Sequence, residues 1–327
     1  MLMRRKRMRT TGTNSTEPTG FARFRSSEQA VWDHYRLRPS EALVPIRSGG
    51  VIRVHEIGSG SPILFVHGSG GSGVYWAPLV TELVSQFRCI LMDRPGWTLS
   101  TPMDYSIGSF GTIAASMQAD LLDAIGVDRV HVVGGSIGNM FALRFAQAHP
   151  DRVGGVVLAG GGPLTDAVEP PTFIKLLRSP LGRIIIRIPQ KPGMVRKQMQ
   201  GLGHKTSLDQ GLIPDELIEL YTSTSRYTEA MRHERDLVRS ILDRDGFVNG
   251  FTVSPQELKG ITVPALIVYG LDDPVGTVDI WKRFAESLEN GSIYTLADSG
   301  HLNWYDKPHE AGARIAGHLA NIHLYRT

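Results

Sequence analysis

Val130-His131-Val132-Val133-Gly134-Gly135-Ser136-Ile137-Gly138 is the stretch on which the reading of this chain turns. A short apolar run breaks into Gly-x-Ser-x-Gly and reopens on helical spacing. Met140, Phe141, Leu143 and Phe145 are the apolar positions, and Pro150 marks the end after His149. This is the setting of a nucleophile elbow, a turn too tight for bulky residues on either side of its serine. The Ser136 hydroxyl would stand above the sheet, and the backbone N–H of Ile137 would face a developing oxyanion. Taken alone, the pentapeptide is equally a glycine-rich turn after a buried strand, so its neighbours decide.

Outward from this point, Pro62 to Val66, Arg88 to Met92 and Val153 to Ala159 are further short apolar runs bounded by Gly, Pro or Asp. Helices are predicted between the runs, over Tyr75 to Ser85, Ile113 to Ile125 and Gly138 to His149. Strands that alternate with helices, without polar alternation inside each strand, predict an α/β fold with a mostly parallel, doubly wound sheet. Upstream, Leu43 to Ile46 and Val51 to His55 read as extended. The second alternates apolar and polar residues, as a half-exposed antiparallel strand at a sheet edge would. Ser27 to Arg38 predicts a short helix. The alternation stops after Gly160-Gly161-Gly162-Pro163 and resumes at Ala265 to Tyr269. The intervening hundred or so residues are mainly helical, most clearly at Leu217 to Tyr221 and Ala230 to Leu242, and read as an inserted helical cap. The expected organisation is a basic disordered tail over 1–26, a core of 27–162 with 259–327, and a cap over 163–258. Ser292 to Leu296 closes the sheet, and His309 to Leu324 predicts a terminal helix.

With 327 residues, 41% hydrophobic and 20% charged, the composition is that of an ordinary globular protein. A formal net charge of +3 is too small to argue for nucleic acid. The charge is uneven, however. Arg4, Arg5, Lys6, Arg7 and Arg9 crowd the N-terminus without the apolar run of a signal peptide behind them, and no window has the length of a membrane span. A single cysteine, Cys89, lies in an apolar run and suits a buried thiol in a reducing cytoplasm. Lys175 to Lys205 holds Arg178, Arg183, Arg187, Lys191, Arg196 and Lys197 and no Asp or Glu. That stretch is a solvated basic face or an attractor of an anionic substrate or acidic membrane surface; the tail offers the same weak membrane contact. No H-E-x-x-H or Cys/His cluster occurs, so neither metal nor cofactor is expected. A small-molecule substrate is the partner expected, and oligomeric state is left open.

A serine hydroxyl becomes a nucleophile only when a base takes its proton and a third group orients that base. Both partners stand on loops after predicted strands. Ala265 to Tyr269 runs into Gly270-Leu271-Asp272-Asp273, and Ser292 to Leu296 into Ala297-Asp298-Ser299-Gly300-His301. Such loops meet at the carboxyl ends of the strands of an open α/β sheet. Together with His67-Gly68-Ser69-Gly70 and Asp93-Arg94-Pro95-Gly96-Trp97, these motifs over roughly residues 40 to 325 resemble the α/β-hydrolase fold superfamily, and within it the capped serine hydrolases. The resemblance implies Ser136 as nucleophile, His301 as general base, Asp273 rather than Asp272 as the orienting acid, and the N–H groups of Ser69 and Ile137 as the oxyanion hole. Thr98 stands where the family often has glycine, and Asn139 where a small residue is common. His67 and Asp298 are expected to be structural, while Trp76, Trp97 and Trp304 fit either a pocket wall or the core.

Gly68-Ser69-Gly70-Gly71-Ser72-Gly73, with Asp93 about twenty residues on, also satisfies a dinucleotide fingerprint. A nicotinamide-dependent oxidoreductase would nevertheless leave Ser136, Asp273 and His301 without purpose. The expected function is hydrolysis of a carboxylic ester of a small or medium apolar substrate through an acyl-enzyme. Carbon–carbon hydrolysis of ring-cleavage products is the alternative, since the His-Gly-Ser-Gly loop resembles that group. Gly135 and Leu302 depart from it, standing where it usually has asparagine and tryptophan. A Gly-Gly-Ser elbow also resembles proline iminopeptidases, and a ligand sensor on the same fold is a further alternative.

Overall fold

The computed structural model describes residues 19–105, 110–162, 165, 167–248, 250–322 and 324. The basic residues at 4–9 lie outside this set. Eight strands form one sheet: β1 (Ser40–Pro45), β2 (Val51–Ile57), β3 (Ser61–Val66), β4 (Phe87–Met92), β5 (Val130–Gly135), β6 (Val153–Ala159), β7 (Ala265–Gly270) and β8 (Gly291–Leu296). Their spatial order is β1-β2-β4-β3-β5-β6-β7-β8. The β1–β2 and β2–β4 pairs are antiparallel, and every pair from β4–β3 to β7–β8 is parallel.

Unbroken apolar strands are explained by burial on both faces. Leu64, Val66, Ile90, Met92 and Val132 face one core, against the helices Phe110–Ala124 and Gly138–Ala148. Ile63, Phe65, Cys89, Leu91 and Val133 face the other, against Ala77–Leu83, Pro308–Ala320 and the N-terminal helix. Between β6 and β7 the chain builds a run of helices, the longest being Asp215–Tyr227 and Ala230–Ile241.

The N-terminal region departs from the sequence reading. Its helix spans Thr19–His34, so residues 19–26 are helical rather than part of a tail. Phe24, Val31 and Trp32 bury one face of this helix in the core, which the arginine-rich composition upstream obscures. Nor is β2 half exposed at an edge. Its polar positions, Arg53 and His55, lie buried beneath the N-terminal helix. Arg53 forms paired contacts of 2.7 Å with both oxygens of Glu28 on that helix, and reaches Asp93 at 3.2 Å and Glu41 at 3.1 Å. A charge-satisfied interior mimics the alternation of a wet face.

Strand register aligns the carboxyl ends. Val66 pairs with Gly134, Gly135 with Ala159, Ala159 with Val268 and Gly270 with Leu296. The loops beyond β3, β5, β6, β7 and β8 therefore leave the sheet side by side.

Candidate active site

Ser136 has φ +55°, a left-handed conformation costly for a residue with a Cβ. Its neighbours make room for that geometry. A Cβ on Gly138 would collide with the Val66 carbonyl, and one on Gly135 would lie 2.9 Å from the Trp76 ring and 3.0 Å from that of Trp304. Ile137 is the N-cap of the helix Gly138–Ala148, so its N–H belongs to the unpaired first turn of the helix. Gly68 lies over the serine, its missing Cβ 2.8 Å from that of Ser136.

His301 and Asp273 meet as their spacing implied. Nδ1 of His301 lies 3.0 Å from each carboxylate oxygen of Asp273, and both side chains are buried. Asp273 also accepts N–H bonds from Gly161 (2.7 Å) and Val275 (2.8 Å), which fix its plane. Asp272 is exposed, its backbone N–H on Ser299 O. The glycine loop after β6 touches all three residues. A Cβ on Gly162 would lie 2.6 Å from Ser136 O and one on Gly161 3.0 Å from Asp273 Oδ2, while Gly160 abuts the His301 backbone. With Nδ1–H on the carboxylate, Nε2 is the nitrogen left to take a proton.

Ser69 is an exposed loop residue whose hydroxyl donates to Glu234 on the inserted helix Ala230–Ile241. Glu234 is buried, and its other oxygen accepts from Arg94 (2.8 Å) and the Trp97 indole (3.2 Å). Arg94 in turn donates to Gly68 O at 3.1 Å. His67 accepts the Arg94 N–H on Nε2 (2.9 Å) and holds Gly68 O from Nδ1 (2.8 Å), as a structural histidine would. Burial, and then the nearby Arg94 charge, push its pKa down to about 3, so it is neutral. The insertion grips the histidine loop as well. His301 N–H donates to Leu202 O (2.9 Å), and Leu302 N–H donates to Nε2 of His204 (3.1 Å). Nδ1 of His204 meets Asp306, 2.8 Å away, which also accepts the Gly300 N–H (2.8 Å).

Glu234, His204 and Asp306 were invisible to sequence reasoning. Glu234 sits in a segment that the sequence identifies only as a helix, and no spacing links residues so far apart in the chain. Trp76 and Trp304 prove to be core: they stack at 4.2 Å beneath Gly135. Thr98 adopts φ +50°, the conformation a glycine would take freely, and its hydroxyl donates to Asp93. Asp93 is fully buried and also accepts from Gly73 N (2.6 Å) and Arg53. The carboxylate a dinucleotide ribose would need is thus already engaged inside the fold. Cys89 is a buried thiol whose pKa burial raises to about 12, inert as a nucleophile.

A mostly parallel sheet with a strained serine after β5 and a paired carboxylate and imidazole after β7 and β8 defines the class. The chain belongs to the α/β-hydrolase family. The family model described as alpha/beta hydrolase fold matches residues 61–184. A 2-hydroxy-6-oxononadienedioate/2-hydroxy-6-oxononatrienedioate hydrolase of Dechloromonas aromatica (strain RCB) is 30% identical over 275 residues, 79% of this chain and 88% of that protein. In solved structures the fold is similar to the naproxen esterase of Bacillus subtilis, with TM-score 0.69, 17% identity, and coverage of 92% of this chain and 98% of that one. It is likewise similar to a meta-cleavage product hydrolase of Pseudomonas fluorescens IP01, with TM-score 0.66, 19% identity, and coverage of 86% and 97%. Hydrolase chemistry is common to these relatives. No helix among the described residues is long and apolar enough to cross a membrane.

Proposed function

We propose that the chain is a serine hydrolase that cleaves the carbon–carbon bond beside the keto group of a conjugated 2-hydroxy-6-oxo-dienoate. The supporting observation is similarity over 88% of a relative that bears such a substrate in its name. In this reading Ser136 is the nucleophile, His301 the general base, Asp273 its orienting acid, and the N–H groups of Ile137 and Ser69 the oxyanion hole. The insertion is a cap over them.

The chemistry balances as follows. The dienol first takes its ketone form, placing a proton on the carbon next to the 6-oxo group and a second carbonyl in conjugation beyond it. Ser136 Oγ then adds to the 6-oxo carbon while Nε2 of His301 takes its proton. As the carbonyl re-forms, the carbon–carbon bond breaks, and its electron pair leaves as a conjugated enolate that collects the proton from His301. Water, deprotonated by the same imidazole, releases the acyl group as a carboxylic acid. Two oxyanion donors would each lower the barrier to addition by roughly 3 kcal/mol.

Ester hydrolysis is the second reading, favoured by one observation. The stacked rings of Trp76 and Trp304 occupy the space in which a side chain at Gly135 would lie, so the asparagine usual in the carbon–carbon hydrolases has no room here. The test is to give wild type and Ser136→Ala both 2-hydroxy-6-oxononadienedioate and p-nitrophenyl esters of graded length. The proposal expects loss of the dienoate's visible absorbance with wild type only, at a higher kcat/KM than any ester. Ester turnover without dienoate turnover would replace it with the second reading. Labelling of Ser136 by a fluorophosphonate with neither turnover would favour a ligand sensor.

A further inference from the structure

The inserted segment carries a surface feature that hydrolysis does not use. Phe173, Leu176, Leu181, Ile184, Ile188 and Met194 are six of the nine exposed large apolar side chains among the described residues, so the exposure is concentrated rather than scattered. Phe173 and Leu176 are three apart on the helix Thr172–Arg178. Leu181, Ile184 and Ile188 fall at i, i+3 and i+7 along a helical stretch, with Ile184 N–H on Leu181 O (2.9 Å) and Ile188 N–H on Ile185 O (3.1 Å). Each set therefore shares a face. The opposite side is already spent: Leu177 is fully buried, and Ile174 and Ile186 pack on a cluster with Val238 and Leu242.

Cations flank the apolar side chains along the same exposed stretch. Arg183, Arg187, Lys191 and Lys197 are exposed and form no ion pair among the described residues. Lys175 pairs with Glu169, Arg196 pairs with Asp215, and Arg178 donates to Leu242 O at 2.8 Å. No acidic residue interrupts the sequence between Glu169 and Asp209. We propose that this face docks on an anionic lipid bilayer, its aliphatic tips entering the acyl boundary and its cations resting among the phosphates. Charge chooses this occupant over a second copy of the chain. A two-fold contact through the face would set Arg183, Arg187 and Lys191 against their own counterparts. The core of a stable protein interface is also depleted of charge, whereas here cations are interspersed with the exposed apolar residues along the chain. The stretch is tied to the helix that carries Glu234, where Arg235 donates to Ser179 O at 3.3 Å.

Flotation of the full chain with phosphatidylcholine vesicles, with and without about 30% phosphatidylglycerol, tests this surface. The chain is expected to float with the anionic vesicles only, and to be released as salt rises from about 0.05 to 0.5 M. Replacing Leu181, Ile184 and Ile188 together by Ser, or Arg183, Arg187 and Lys191 together by Ser, should each weaken binding at least tenfold. Hydrolysis of a soluble p-nitrophenyl ester should be unchanged in both variants. A third variant, with Arg4, Arg5, Lys6, Arg7 and Arg9 replaced by Ser, should keep most of the binding. The proposal is overturned if the chain floats with neither vesicle, if the tail variant alone abolishes binding, or if the aliphatic triple instead dissolves a dimer seen without lipid.

Discussion

Asp273 is held by more than its contact with the His301 imidazole. Its Oδ1 accepts from Val275 N and its Oδ2 from Gly161 N, while both face Nδ1 of His301. An amide in its place must turn its NH2 toward one of those donors, and the ring loses the acceptor that keeps its Nε2 free. Asp273→Asn should therefore lower kcat about 10⁴-fold with KM little changed and fold intact, measured on whichever substrate wild type turns over. Asp272→Asn, on the exposed neighbour, should leave kcat within about twofold of wild type. The resemblance points to Asp273, because the family counts its acid from Gly270, and Asp273 is the carboxylate that meets His301. Gly135 was legible only in part. Its smallness reads as a need of the turn, but the structure adds a second need, since the Trp76–Trp304 stack lies against it. Gly135→Asn should overpack that contact and destabilise the fold by about 1–3 kcal/mol, read as a lower urea midpoint at unchanged slope. No change in midpoint would mean that the ring stack yields easily, and would remove the observation favouring the ester reading.

At the scale of elements, strands and flanking helices could be read because burial on both sheet faces leaves a plain signature of apolar runs between turn residues. The helix Thr19–His34 could be read only from Ser27 onward, since its N-terminal half follows a polar, arginine-rich stretch and its pair of Glu28 with buried Arg53 leaves no pattern in the sequence. The grip of the inserted helices on the core was equally hidden, because its bonds join residues about a hundred or more positions apart. The helix Ala230–Ile241 supplies the clearest case. Through Glu234 it holds the Ser69 hydroxyl, Arg94 and Trp97, and Arg94 holds the Gly68 carbonyl. Glu234→Ala would leave Arg94 buried without its carboxylate, at a cost of about 3–5 kcal/mol. The loop carrying Ser69 N–H would lose its anchor as well. Glu234→Gln keeps acceptors for the hydroxyl and the indole but removes the charge. If the element positions the oxyanion loop, kcat should fall in the order wild type, Gln, Ala, with KM nearly constant, and the loss should persist at temperatures where each variant is fully folded by circular dichroism. Loss of folded protein without loss of kcat per folded molecule would assign Glu234 to stability alone.

At the scale of the whole molecule, buried histidines shape how stability falls toward acid. Burial, reinforced by the Arg94 charge, holds His67 at a pKa of about 3; burial, with His318 and Arg129 nearby, holds His131 at about 4. In the unfolded chain both titrate near the ordinary 6.5. As pH falls below that value the unfolded state takes up protons that the folded state refuses, so stability declines. The slope is about 1.4 kcal/mol per pH unit for each such histidine, hence about 2–3 kcal/mol per unit for the two near pH 5. Buried carboxylates act lower on the scale. Burial alone would raise Asp93 and Glu41, but the Arg53 charge beside Asp93, and hydrogen bonds from His55 and Arg53 to Glu41, more than reverse it. What these two contribute is present above the ordinary carboxylate range and is lost as pH falls through and below it, so the window from pH 6.5 to 5 belongs to the histidines. His131 gives the separating experiment. It lies fully buried in β5, and neither ring nitrogen has a hydrogen-bond partner among the described residues. His131→Leu removes a titrating group without orphaning another. Urea unfolding at pH 7, 6 and 5 should show the wild-type midpoint dropping steadily. The variant should match or exceed it at pH 7 and lose stability more slowly below pH 6.5, by up to about 1.4 kcal/mol per pH unit. Equal slopes for the two proteins would mean that His131 takes up its proton in the folded state and contributes nothing to the loss.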